Sequence, residues 1–126
     1  MPSWEEAVDL FEQRRKAWLA EDLDTYLALW DDDMTFQSPV HDEPLVGKPA
    51  YEELVRHSAN FVKPLAFDVV SLAVNGELVL AEWKIMIEWR MQDTKVSYSG
   101  MSRARIRNGL ITEWREYWNA GDMQMH

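Results

Sequence analysis

Hydrophobic spacing changes character once along the chain, near Pro64, from helical to alternating. Before that point, Ser3-Trp4-Glu5-Glu6 has capping-box spacing, with Ser3 as N-cap and Glu6 reaching back. The segment to about Ala20 then places Trp4, Val8, Phe11, Arg15 and Trp18 at helical intervals. This predicts one amphipathic helix with an aromatic inner stripe, in which the Arg15 stem snorkels outward. Glu21-Asp22-Leu23-Asp24 breaks and restarts the chain, and Asp22 or Asp24 caps a second short helix carrying Tyr26, Leu27, Leu29 and Trp30. Asp31-Asp32-Asp33 is expected to end it, followed by a short strand, Met34-Thr35-Phe36. Pro39 and Pro44 mark an irregular loop over 38–46. Gly47-Lys48-Pro49 opens a third helix, with Tyr51, Leu54, Val55 and Ser58 on one face.

After Pro64 the pattern predicts four long strands: 65–74, 77–91, 95–107 and 110–119. Asn75-Gly76 and Asn108-Gly109 are hairpin turns between β-type runs, and Gln92-Asp93-Thr94 makes the reversal between them. In the second of these strands Val79, Ala81, Trp83, Ile85, Ile87 and Trp89 share a face, against Glu82, Lys84, Glu88 and Arg90. In the third, Tyr98, Gly100, Ser102, Ala104 and Ile106 oppose an arginine row, Arg103, Arg105 and Arg107, expected to meet carboxylates of a neighbouring strand. The last strand is ambiguous. One face carries Trp114, Glu116 and Trp118, the other Ile111, Glu113, Arg115 and Tyr117, and either satisfies the alternation. The sum is an α+β domain in which three helices cover an antiparallel sheet ending in a four-stranded meander. Strands this long must curl strongly to be covered by so few helices.

Composition narrows the function. The 126 residues suit a single domain, 1–126, and 47% hydrophobic content is enough for a packed core. A net charge of −9, from 13 basic against 22 acidic residues, excludes a nucleic-acid surface and disfavours anionic membranes. The chain has no cysteine, so thiol nucleophiles, thiolate metal sites and disulfides are absent. No basic n-region leads into an apolar stretch at the start and no run reaches transmembrane length, which predicts a soluble cytoplasmic protein. No glycine-rich phosphate loop is visible, and three scattered histidines with one acidic run do not form a ligand set, so neither cofactor nor metal is expected. Only 121–126 reads as a loose end.

The segment from Asp22 to Pro39, together with Gly47 opening a helix and Asn108-Gly109-Leu110-Ile111 leading into Arg115-Glu116-Tyr117-Trp118, resembles SnoaL-like domains of the nuclear transport factor 2-like superfamily. The resemblance covers nearly the whole chain and implies a cone-shaped roll around an apolar pocket. It also implies a homodimer through the outer sheet face, where members of this fold commonly pair. The fold hosts isomerases, cyclases, dehydratases, epoxide hydrolases and non-catalytic binding domains, so it does not by itself fix a reaction.

The catalytic sets of the relatives are incomplete here. Ketosteroid isomerases place a general-base Asp where this chain has Ser38, a second acid near Ser102, and a helix-1 tyrosine near Arg14. Limonene epoxide hydrolases share a motif like Trp114-Arg115-Glu116-Tyr117-Trp118, which implies that Glu116 faces the pocket. Their Arg-x-Asp partners fall near Trp83 and Ile85, which cannot activate water. The expectation is therefore an acid/base enzyme acting on an apolar cyclic or polyketide-like molecule, or else a non-catalytic binding or dimerisation module. Glu116 and His41 are the catalytic candidates. Arg14, Trp18, Trp30, Trp83, Tyr98, Ser102, Trp114 and Trp118 are the candidate substrate contacts. The competing roles are an ion pair between Glu116 and Arg14, a solvated loop residue for His41, a surface position for His57, and core packing for the tryptophans.

Overall fold

The computed structural model describes residues 1–123. Its order is α1 (Trp4–Leu19), α2 (Leu23–Leu27), β1 (Trp30–Gln37), β2 (Leu45–Val46), α3 (Lys48–Ala59), β3 (Val62–Asn75), β4 (Leu78–Trp89), β5 (Thr94–Arg107) and β6 (Leu110–Trp118), then a 3-10 turn, Ala120–Met123. Of the expected loose end, 121–126, residues 121–123 lie in the 3-10 turn and 124–126 lie outside the described residues. Three helices lie on one curved, unclosed, six-stranded sheet of order β2-β1-β6-β5-β4-β3, the expected cone-shaped α+β roll. The meander β3–β6 is antiparallel as expected, but β1 runs parallel to β6, so the sheet is mixed.

The capping box of α1 is present in both directions, and Asp22 caps α2 through Thr25. The buried face of α1 differs from the expected stripe. Ala7, Leu10, Phe11, Arg14 and Ala17 face the core, while Trp4 and Val8 are exposed and Arg15 pairs with Glu12 on the surface. Two alanines let the helix approach the sheet closely. Trp4 instead reaches the β3 edge and donates its indole N–H to the Leu72 carbonyl. α1 ends in a Schellman-type closure with Glu21 in the left-handed region (φ 56°): Glu21 N–H bonds the Trp18 carbonyl and Asp22 N–H the Ala17 carbonyl.

The second helix stops at Leu27, and Trp30 opens β1 instead of closing the helix. Pairing with β6 (Trp30 opposite Ile111, with Ile111 N–H bonded to the Leu29 carbonyl) overrides the local helical signal. The run Asp31-Asp32-Asp33 lies within the strand as a bulge between Trp30 and Thr35, which keeps its carboxylates outward while Trp30, Met34 and Phe36 are buried. A short strand, β2, sits in the expected irregular loop.

The first hairpin turn is Gly76-Glu77, one residue later than expected, because Asn75 pairs with Leu78. Asn108 and Gly109 both have positive φ (52° and 77°), the signature of a type I′ turn. β3, an edge strand, has irregularities at Pro64/Ala66 and Val69/Ser71, and these bend it over the helices. A further register shift between Arg105 and Ile106 inserts Thr112 as an extra residue in β6. Ile111 and Trp114 therefore both point inward, although strict alternation would put them on opposite faces. On the outer face Arg103, Arg105 and Arg107 meet Glu113 and Glu77, the expected cross-strand ion pairs. Among the described residues no helix is long and apolar enough to cross a membrane.

Candidate functional site

Between the helices and the concave face of the sheet lies a cavity of about 230 Å³. Its wall is mostly apolar, with Trp18 of α1, Leu54 and Val55 of α3, Phe67 of β3, and Ile85 and Ile87 of β4. The polar atoms that interrupt this wall belong to Arg14, Tyr26, Tyr51, Tyr98 and Glu116. Exposed Glu21 and Ser58 mark the mouth. Arg90, in the turn after β4, straps that mouth: it ion-pairs with Glu21 and donates to the Ala59 carbonyl at the end of α3.

The bulge in β6 settles the ambiguity of that strand. With Trp114 turned inward, Glu116 two residues on shares its face and reaches the cavity. Its neighbours on the same face hold it from both sides. Trp114 Nε1 donates to Glu116 Oε1 at 2.9 Å, and Trp118 Nε1 to Oε2 at 2.8 Å. A carboxylate has about four lone-pair sites, so each oxygen keeps capacity for one further donor. Glu116 is thus fixed in position with accepting capacity unspent.

Arg14 is the buried cation, only 7% exposed. It makes no ion pair with Glu116. Its guanidinium carbon lies 4.4 Å from the ring centre of Trp114, 4.9 Å from Phe67 and 5.4 Å from Tyr26. Its Nε has no hydrogen-bond partner. Burial works against its charge, but the oxygens of Tyr26 and Tyr51 and the Glu116 carboxylate outweigh it, and its pKa rises.

Sequence reasoning missed the Tyr26–Tyr51 pair as site residues, although both were placed on helices. Their hydroxyls are 2.7 Å apart, joining α2 to α3 in the cavity wall. The signal available was the rule that a buried tyrosine needs a partner for its O–H. Burial, with Tyr26 close by, holds the Tyr51 hydroxyl well above its usual pKa. Burial first, and Glu116 second, also raise Tyr98.

Several candidates lie elsewhere. His41 does not line the cavity. It sits in an outer cleft with Ser38, Arg115, Glu116 and Trp118, where its Nδ1 is 2.7 Å from Ser38 Oγ. Ser102 is buried and accepts from Trp83 Nε1 at 3.2 Å, so its hydroxyl is engaged behind the cavity wall. Trp30 and Trp83 are wholly core, with Trp30 packed on Tyr51 at 4.5 Å and Trp83 on Phe67 at 5.8 Å. Trp114 is buried beneath Arg14, and Trp118 packs on Tyr98 beside the outer cleft. Arg14, Trp18, Tyr98 and Glu116 are the members of the expected set that share the cavity. His57 is exposed on α3 against Phe61. Among the described residues no three His, Asp or Glu side chains cluster to hold a metal ion.

The family model for the SnoaL-like domain matches residues 11–114. No curated protein matches the chain significantly. Among solved structures, a proposed isomerase of Bacillus subtilis superposes with a TM-score of 0.86 at 21% identity, over 97% of this chain and 92% of that one. An LEH-like epoxide hydrolase of M. tuberculosis gives 0.82 at 24% identity, over 97% and 89%. A proposed polyketide cyclase of Xanthomonas campestris gives 0.82 at 19%, over 94% and 93%. At these identities the likeness is one of fold, and the chemistry has to be argued from the cavity.

Proposed function

Because the chain belongs to the SnoaL-like domain family, whose model covers residues 11–114, we propose that it is a small-molecule pocket protein working as an acid/base enzyme on an apolar cyclic or polyketide-like substrate. The observation that carries this reading is Glu116: a carboxylate that lines an apolar cavity, is oriented by two indole N–H groups and is not consumed by an arginine. Such a group is placed to take a proton from a bound molecule and return it elsewhere, the common first step of isomerases, cyclases and dehydratases. Tyr98, whose hydroxyl is held neutral by burial, supports a donor role beside it. Hydrolysis through a pair of carboxylates has weaker support, since the other cavity acid, Glu21, is at the mouth and paired with Arg90. The proposed transfer calls for no metal or cofactor.

The test is a thermal-shift screen with cyclic ketones and related apolar rings, followed by turnover of the hits by wild type and Glu116→Gln. The variant is expected to keep binding while turnover falls at least ~100-fold. Equal turnover would sink the catalytic role. A second reading, a non-catalytic binding module, is favoured by the same two indole bonds, which also suit a fixed anchor. It predicts that Glu116→Gln weakens binding and that no hit is turned over. We further propose a homodimer through the outer sheet face, supported by exposed Leu80, Met101 and Tyr117 there. A monomer by light scattering at micromolar concentration counts against it.

A further inference from the structure

Arg14 is the group that proton transfer at Glu116 leaves unexplained. A guanidinium in a low-dielectric interior costs several kcal/mol unless an anion or a full set of acceptors compensates it. Here Tyr26, Tyr51 and Glu116 support the charge, but they leave part of the donor fork unfilled. Three ring faces lie against the guanidinium, but a π face attracts the cation without filling its N–H donors. Nε has no acceptor, and among the described residues no carboxylate lies within ion-pair distance. The residue is more than nine-tenths buried and lines the cavity.

A planar fork of N–H donors matches one ligand group better than others, a carboxylate bound through both oxygens. The rest of the wall sets the remainder of the molecule. Trp18, Leu54, Val55, Ile85 and Ile87 offer apolar contact and no further cation. A cavity of about 150 Å³ takes benzene, so about 230 Å³ admits a substituted single ring or a fused pair. Glu116 lines the same cavity without pairing with Arg14, so the site has one positive and one negative group. An amphiphilic acid enters in one sense only, with its carboxylate at Arg14 and its ring toward Glu116.

We propose that the ligand is a small aromatic or alicyclic carboxylic acid, bound as the carboxylate on Arg14. This deepens the preceding reading and rests on its premise that the cavity is the ligand site. The ion pair orients the ring so that a carbon or hydroxyl away from the carboxylate meets Glu116. Arg14 is then the residue that fixes which substrates are accepted.

The test compares benzoate and 2-naphthoate with their methyl esters by calorimetric titration at neutral pH, on wild type, Arg14→Met and Arg14→Gln. Wild type is expected to bind at least one acid about tenfold or more tighter than its ester. Both variants should lose that preference, acid and ester then binding within about threefold of each other. Esters and acids binding wild type equally overturns the proposal and leaves the cavity as a ligand site. So does a preference that survives in either folded variant. If neither acids nor esters bind wild type at millimolar concentration, the cavity as a site for small rings falls, and the proposal falls with it. The acid–ester comparison on wild type stands even if a variant does not fold.

Discussion

Gly100→Ala is the smallest change that tests how the back wall of the cavity is built. Gly100 lies on the inner face of β5, opposite Trp83 on one side and Trp118 on the other. A methyl group there would stand 2.7 Å from Trp83 Cη2, 2.9 Å from its Cζ3 and 2.8 Å from the Tyr117 carbonyl oxygen. Contacts this short force Trp83 to move, and Trp83 is wholly buried, packed on Phe67 and Tyr98 and bonded to Ser102. Overpacking a core costs about 1–3 kcal/mol, and loss of the indole bond adds about 1 kcal/mol. The entropy gained by replacing glycine returns roughly 0.5–1 kcal/mol. The net loss is about 1–3.5 kcal/mol, which for a chain of 126 residues lowers Tm by roughly 4–14 °C. Urea denaturation followed by tryptophan fluorescence measures it. Combining the change with Trp83→Phe, which removes the clashing ring edge, should recover at least about 1 kcal/mol as coupling; the Tyr117 contact keeps the recovery partial. A loss under about 0.5 kcal/mol, or additive effects in the double variant, would refute this packing.

Two pH effects follow from the charges around the sheet. Tyr51 and Tyr98 have raised pKa values because burial disfavours the phenolate, so their contribution to stability is fully present below the ordinary tyrosine pKa and is lost as pH climbs through the raised values. Absorbance titration at 295 nm should show part of the tyrosine signal, that of Tyr51 and Tyr98, ionising only with unfolding; a single complete transition near pH 10 in the folded protein would contradict it. Glu77 is held below its usual 4.5 by hydrogen bonds from Arg107 and Arg105. Its contribution is complete above that value and is lost as pH falls through the lowered one. Glu77→Gln should therefore destabilise the protein at neutral pH and match wild type in strong acid, with salt reducing the difference.

Much of this architecture was legible in the residues. Ser3 and Glu6, Pro49 and the Asn108-Gly109 turn announce their elements locally, and the alternation of β4 and β5 identifies the buried face directly. What escaped depends on partners distant in sequence. Trp30 looks helical until β6 pairs with it, and the face of β6 is decided by one inserted residue, Thr112, which no periodicity argument detects. The phase of α1 is set by small residues, Ala7 and Ala17, at the close contact, so a stripe drawn through Trp4, Val8 and Arg15 lies off the buried face. In the site, the two flanking tryptophans mark Glu116 in the sequence, and the indole bonds that fix it belong to the three-dimensional structure. Ser102 and Trp83 were candidates on the correct face, but they satisfy each other instead of reaching the cavity.

The central claim is that Glu116 moves protons on a molecule held in this cavity. Solvent exchange tests it most directly. A cyclic ketone that binds wild type is incubated in D2O, and deuterium entering beside its carbonyl is followed by proton NMR. The account predicts exchange well above the buffer rate with wild type, falling at least ~100-fold in Glu116→Gln at saturating ligand. Binding without any enzyme-dependent exchange, or exchange unchanged by the substitution, would contradict it.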